Sequence, residues 1–322
     1  MSAANDPDGG PIAVVGPGRM GIGIAQVFAT NGRPVQLLDV KERTQSEFEA
    51  KVTDVRETIR SNLKFLAACD HFHGEIDDVV NRIRVTRETA VLENTKWVFE
   101  ALPEDPKVKR DFFESAAGEL EGSIVATTTS SISIDELADV VPASDRLLIT
   151  HWLNPAFIVP LVEVARADRT DDDAVEATVE LLEAVGKEPV TCLDSPGFLG
   201  SRIQAAAMNE AVRAHEDGVA TPEEIDRALR TGVGFRMAAI GLIEFIDLGG
   251  VDILYYVNEY LSEELGDRFE NPESVVEKME ANDLGPKTGA GYYDYGEDVD
   301  ADELKRETYS RMLALQEVLE NE

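Results

Sequence analysis

The apolar run Ile12–Val15 leads directly into Gly16-Pro17-Gly18-Arg19-Met20-Gly21, and nothing else in the chain constrains its fold as tightly. A strand that enters G-x-G-x-x-G and continues as a helix is the phosphate-binding turn of dinucleotide sites. Gly16 permits the tight turn, Gly18 lets the backbone approach a pyrophosphate, and Gly21 lets helix and strand pack closely. Arg19 and Met20 fill the variable positions at the helix start, where free N–H groups and the positive dipole end face the phosphates. A second apolar run, Val35–Leu38, ends at Asp39, near the ~20-residue spacing of the acid that binds a ribose 2′-OH. Such an acid repels a 2′-phosphate, so NAD is favoured, with Arg43 keeping NADP open.

The same rhythm continues. Short apolar runs recur at Ile83–Thr86, Trp97–Glu100, Ile124–Thr127, 147–151, 161–164 and 189–193, with helix-like stretches between several of them. This alternation predicts an α/β fold with a mainly parallel sheet. Beyond Leu193 the pattern changes to helices alone. Ser195 reads as an N-cap with Pro196 at the first helical position. Thr221-Pro222-Glu223-Glu224 reads as a capping box, and Gly232 as a helix stop. The expected organisation is a flexible tail over 1–10, a dinucleotide-binding domain over 11–194 and an all-helical domain over 195–322. At ~150 residues per domain, 322 residues accommodate two.

Composition excludes several function classes. With 63 acidic and 30 basic residues the net charge is −33, which repels a nucleic-acid backbone. Apolar residues make up 43%, enough for a packed core despite that charge. Only 10 of the 30 basic residues are lysine, and the balance resembles that of salt-adapted proteins, whose self-repulsion is screened by salt. No apolar run is long enough to span a membrane. The polar start MSAANDPDGGP lacks a leader pattern. Two cysteines argue against a disulfide framework, so a reducing cytoplasm is expected, and no metal site is.

Two polar residues interrupt apolar runs. His151 ends the sixth run, where ligands bind at the carboxyl ends of strands. Glu163 sits inside the seventh, and a buried carboxylate needs a partner. A histidine that it orients and holds cationic is the economical pairing. Residues 127–131 add five hydroxyls at another strand end. Each feature also has a plain structural reading: a satisfied core histidine, an ion pair, a set of helix caps.

Taken together, six blocks resemble the L-3-hydroxyacyl-CoA dehydrogenase family: GPGRMGIGIA (16–25), EALPEDPKVKRDFFE (100–114), TTSSISI (128–134), HWLNPAFIVPLVEV (151–164), SPGFLGSRI (195–203) and LGPKTGAGYYDY (284–295). The resemblance implies a Rossmann-type NAD domain followed by an all-helical domain that forms a homodimer. It implies His151 as catalytic base, Glu163 as its orienting carboxylate and Ser130 as the hydroxyl on the substrate oxygen. Glu104, Lys109 and Asn154 then match positions near the nicotinamide and its ribose.

The chain also departs from the family. Thr128 and Ser201 stand where the family usually has Asn, and the second of those lies beside the substrate oxygen. The block at 232–250 is closer to a branch acting on small free acids, such as carnitine, gulonate and a pyridine carboxylate. An acyl-CoA substrate needs a local basic patch on so acidic a surface. Arg56, Arg60 and Lys64, spaced i, i+4, i+8, supply one helical face, which could equally be a solvated salt-bridge stripe with Glu57. The expected activity is NAD-dependent oxidation of a short-chain 3-hydroxyacyl-CoA, or its reverse. The rivals are a free-acid dehydrogenase, a non-catalytic NAD-binding protein and a hydrolase triad, the last without a G-x-S-x-G elbow.

Overall fold

The computed structural model describes residues 10–93, 95–296 and 299–320. All but Gly10 of the expected tail, and residues 297 and 298 of the acidic patch at 297–303, lie outside the described residues. Eight strands form one sheet: β1 (Ile12–Val15), β2 (Val35–Leu38), β3 (Ile83–Thr86), β4 (Trp97–Glu100), β5 (Ile124–Thr127), β6 (Leu147–Trp152), β7 (Leu161–Arg166) and β8 (Glu188–Leu193). Their order is β3-β2-β1-β4-β5-β6-β7-β8. Every neighbouring pair is parallel except β6 and β7. Residues 153–160 between those two are too few for a parallel crossover, which takes roughly a dozen residues or more.

The runs of β1, β4 and β5 are continuous and fully buried because helices cover both faces of these inner strands, whereas β8 at the sheet edge is mostly exposed. Within β1, Ile12 and Val14 join one core cluster with Phe28, Phe99 and Trp152. Ala13 and Val15 join the opposite cluster with Phe112, Phe113 and Leu120. The period of two thus sends alternate residues of one strand to two cores.

The helix Arg19–Thr30 carries two glycines that cost helix propensity. Packing requires the first and leaves little room at the second. A Cβ on Gly21 would lie 1.9 Å from the Gly16 carbonyl oxygen, and one on Gly23 would lie 3.1 Å from Ala156 Cβ. The long helix Gln45–Ala68 starts on a full capping box between Thr44 and Glu47 and buries only Val55, Ile59 and Leu63.

The chain divides into two compact units, which part between Ala206 and Ala207. Apart from isolated bridges in the loop around Ala290, the described residues of the second unit form helices and turns.

Three helix expectations need correction. No helix begins at Ser195 and Pro196. Gly197 and Phe198 take φ of +76° and +48°, so the helix starts only at Gly200. Gly232 does not stop its helix but lies in a π-helical turn, Leu229–Val233, that runs on to Ala239. Thr221 caps the Glu224 N–H at 3.4 Å, but the Glu224 carboxylate pairs with Arg227, leaving only half of a capping box.

The block LGPKTGAGYYDY folds around one buried acid of the second unit. The Asp247 carboxylate accepts from the Tyr292 and Tyr293 N–H groups at 3.0 and 2.9 Å and from the Tyr295 hydroxyl at 3.1 Å. Side chains at Gly285 or Gly291 would collide with Asp247. This motif is therefore a folding signature of its loop.

Candidate active site

The glycine turn forms a cradle open on one side. Gly16 has φ +103°, and a Cβ there would meet the Ala101 carbonyl oxygen at 2.6 Å, whereas one on Gly18 would meet nothing within 4 Å. The helix that follows has Gly18 as N-cap and no side-chain cap, so its first N–H groups stay available to phosphate. A cavity of about 690 Å³ opens there, lined by Gly18, Arg19, Met20, Asp39 and Leu102 among others. Asp39 is 2% exposed. Its Oδ2 accepts from Arg43 Nε at 2.6 Å and its Oδ1 from the Lys41 N–H at 3.3 Å. An open backbone approach, uncapped N–H groups and a fixed carboxylate at the strand end are the groups a dinucleotide needs.

His151 and Glu163 are directly opposed residues of the antiparallel pair β6 and β7. Opposed residues share a face, so this register joins them. His151 Nδ1 lies 2.6 Å from Glu163 Oε2. The other carboxylate oxygen accepts the backbone N–H groups of Leu199 and Gly200 at 2.8 and 2.7 Å. Glu163 is fully buried, while the imidazole keeps 10% of its surface exposed. The N–H groups at the start of the helix Gly200–Glu216 thus hold Glu163, and Glu163 holds one face of the imidazole. Ser201 is half-buried in the first turn of this helix, which begins at Gly200.

Ser130 is exposed in the loop after β5 and opens on a cavity of about 210 Å³ that Asp194, Ser195 and Phe198 also line. The Phe198 ring lies 5.1 Å from the His151 ring, so one side chain joins both places. Burial pushes the Asp194 carboxyl up, although the Ile134 N–H pulls it the other way. Half-buried Thr128 donates its N–H to the Glu100 carbonyl oxygen at 2.8 Å.

Glu104 accepts on a single oxygen from Thr129 Oγ1 at 2.6 Å and from Ser130 N, Ser131 N and Ser131 Oγ, each at 2.8 Å. Burial pushes its carboxyl up, but these bonds and the Lys109 charge outweigh that and hold it below the usual range. Lys109 is fully buried, with Nζ 2.7 and 2.8 Å from the two oxygens of Glu100. Asn154 is exposed, in a loop whose Ala156 and Val159 carbonyls accept from Lys187 Nζ at 2.6 and 2.8 Å. Burial alone lowers the Lys187 ammonium from its usual value.

The basic stripe lies on the helix Gln45–Ala68. Arg56 and Lys64 are exposed, and neither has an ion pair among the described residues; Arg60 is bound to Asp77 at 2.5 Å.

Sequence reasoning missed Glu100 and the Leu199 and Gly200 N–H groups, and had Thr129 only as one of the five hydroxyls at 127–131. The first had a signal: an acid at the end of the apolar run WVFE, nine residues before Lys109.

Two family models cover most of the chain: 3-hydroxyacyl-CoA dehydrogenase, NAD binding domain, over residues 11–195, and 3-hydroxyacyl-CoA dehydrogenase, C-terminal domain, over 197–295. The chain belongs to the 3-hydroxyacyl-CoA dehydrogenase family. It is thus an NAD-dependent oxidoreductase, and the glycine cradle lies within the part of this dehydrogenase matched by the NAD binding domain. It is 33% identical over 287 residues to a 3-hydroxybutyryl-CoA dehydrogenase of Clostridioides difficile, covering 88% of this chain and 99% of that one. It is 30% identical over 320 residues to the 5-formyl-3-hydroxy-2-methylpyridine 4-carboxylate 5-dehydrogenase of Mesorhizobium japonicum, covering 96% and 98%. The crystal structure of a 3-hydroxyacyl-CoA dehydrogenase from Archaeoglobus fulgidus matches with TM-score 0.78 and 29% identity, over 97% of this chain and 99% of that one. Among the described residues of this dehydrogenase, no helix is long and apolar enough to cross a membrane.

Proposed function

We propose that this dehydrogenase interconverts a short-chain L-3-hydroxyacyl-CoA and its 3-oxoacyl-CoA, with His151 as the base. The observation that carries the reading is the His151–Glu163 pair, whose carboxylate is anchored by two backbone N–H groups. Glu163 keeps the proton on Nδ1, which leaves Nε2 to accept the proton of the substrate hydroxyl. Bound NAD supplies the hydride acceptor. Glu163 also stabilises the imidazolium that forms, and the Ser130 hydroxyl, which makes no hydrogen bond among the described residues, donates to the carbonyl oxygen being formed. On the 2′-OH side, Asp39 favours NAD.

A free hydroxy acid is the second reading, favoured by the Mesorhizobium relative and by the block at 232–250. Chain length does not separate the two, since the Archaeoglobus 3-hydroxyacyl-CoA dehydrogenase is matched over 97% of this chain and the Mesorhizobium enzyme over 96%. Arg56 and Lys64, exposed on one helix and without an ion pair among the described residues, support the acyl-CoA reading. The deciding experiment compares acetoacetyl-CoA plus NADH with carnitine and gulonate plus NAD, at molar salt. Turnover of the free acids alone overturns the proposal. Ser201→Asn then reads the pocket, because restoring the family's amide keeps or raises kcat/KM on acetoacetyl-CoA, whereas a pocket reshaped for another acid loses it.

A homodimer through the second unit belongs to the same proposal. In the helix Val251–Leu265 only Val251 is buried. Ile253, Tyr256, Val257 and Tyr260 are 57, 61, 46 and 63% exposed. Their i, i+3, i+4, i+7 spacing makes an apolar stripe that calls for a partner. Sedimentation of wild type against Tyr256→Glu/Tyr260→Glu checks it, the double variant being the monomer.

A further inference from the structure

Proton transfer makes no use of the fully buried pair Glu100 and Lys109, yet two charges without solvent persist only where every hydrogen-bonding site is matched. On the carboxylate they are matched. Glu100 Oε1 accepts from the Leu102 N–H at 2.6 Å and from Lys109 at 2.7 Å, and Oε2 accepts from Lys109 at 2.8 Å and Thr127 Oγ1 at 2.6 Å. The pair thereby ties the end of β4 to the end of β5 and to the helix Pro106–Ser115. Lys109 Nζ also lies 4.0 Å from Glu104 Oε2. The remaining oxygen of Glu104 gathers four donors from residues 129–131. A chain of charges thus runs from the rigid sheet to the backbone N–H of Ser130.

We infer that Glu104 is a positioning residue that fixes the Ser130 hydroxyl for the substrate oxygen, with the Glu100–Lys109 pair holding the Glu104 carboxylate in place. The inference rests on the proposed role of Ser130. A lone hydroxyl on a surface loop is a poor oxyanion donor unless the loop is locked, because donors act only when aimed in advance. Residues 128–131 belong to no helix or strand, so the converging bonds on Glu104 supply that lock. The structure commits one Glu104 oxygen wholly to this loop, whereas the family resemblance alone would have sent Glu104 to the nicotinamide ribose.

The two roles differ in what they do to cofactor binding. Ser130→Ala, Glu104→Ala, Glu104→Gln and the double variant Glu104→Ala/Ser130→Ala are compared for kcat and KM with acetoacetyl-CoA. NADH affinity is read from its fluorescence on binding, and folding from thermal melts. Misplacing one catalytic group by about 1 Å costs up to ~10²-fold. Glu104→Ala should therefore lose about 10–10²-fold in kcat, with NADH affinity within about twofold of wild type. Glu104→Gln should recover most of the loss, since its amide oxygen accepts the same bonds. In the Ser130→Ala background, Glu104→Ala should cost less than about twofold more, because nothing remains to be positioned. Should Glu104→Ala fail to fold, Thr129→Val removes one of the four donors and should show the same non-additivity with Ser130→Ala. Additive losses, or a tenfold weaker affinity for NADH in Glu104→Ala, overturn the clamp alone. An unaltered kcat in Ser130→Ala rejects the role of Ser130, and the clamp falls with it.

Discussion

Glu163→Gln is nearly isosteric, yet it reverses one hydrogen bond and leaves two intact. Glu163 Oε1 accepts the Leu199 and Gly200 N–H groups, and a glutamine oxygen can do the same. The glutamine amide nitrogen must then face His151 Nδ1, which Glu163 Oε2 now meets at 2.6 Å. Two donors cannot share that contact, so the imidazole shifts its proton to Nε2 and Nδ1 becomes the acceptor. The atom meant to receive the substrate proton then already carries one. The loss should equal most of the worth of general base catalysis, about 10²–10⁴-fold in kcat, or ~2.7–5.4 kcal/mol. Folding should suffer far less, because the helix N-terminus keeps its acceptor and gives up only a charge–dipole contribution of about 0.3–1 kcal/mol. The assay is NADH oxidation at saturating acetoacetyl-CoA, with thermal melts and NADH binding as controls. A variant within about threefold of wild-type kcat refutes the tautomer argument.

Neutralising Arg56 and Lys64 together should raise KM for acetoacetyl-CoA several-fold at the lowest salt that keeps the protein folded, with kcat little changed, since remote phosphate contacts bind ground and transition states alike; an unchanged KM makes the stripe a solvated face. Asp39→Ala should weaken NADH and relax the preference toward NADPH, read as the ratio of kcat/KM values; a wild type that uses both equally contradicts the role of Asp39. The melting temperature should climb between about 0.01 M and 1 M salt as the Debye length falls from ~30 to ~3 Å, and a flat response removes the salt-adapted reading. Glu104 is held below its ordinary value of 4.5, so the stability its charge adds is fully present above that pH and fades as pH drops through the lower folded value. The melting gap between wild type and Glu104→Gln should thus be widest above about pH 5 and close as pH falls below 4.5 and through the lower folded value; a gap independent of pH denies the charged clamp.

The strands were legible because burial on both faces writes a parallel strand as an unbroken apolar run. Their ends in β6, β7 and β8 ran one or two residues beyond the pattern, where pairing continues through Trp152, Arg166 and Glu188. The helix starts after Leu193 were less legible. A phenylalanine at φ +48° leaves no mark in composition, and a π-helical turn lets the helix run on through Gly232, where a glycine reads as a stop. In the site, His151 and Glu163 stood out as polar residues inside apolar strands. Glu100 carried the same signal but sat at a strand end, where an acid reads as the start of a loop. The resemblance put Lys109 near the nicotinamide, and only tertiary packing reveals it as fully buried against Glu100.

A chain of net charge −33 must still hold a cofactor that carries phosphates. At physiological salt the Debye length is ~8 Å, so charges on the far surface are screened and the local set decides. Around the cradle that set is Arg19, Lys41, Arg43 and Lys51 lining the cavity against Asp39. Arg43 already neutralises Asp39 through the contact at 2.6 Å, and Lys51 is paired with Asp54 at 2.8 Å. Arg19 and Lys41 remain, together with the uncapped N–H groups behind Gly18. Those backbone donors are indifferent to surface composition, because they come from helix geometry and not from side chains. A phosphate held by such a turn therefore depends little on the charge of the surface around it.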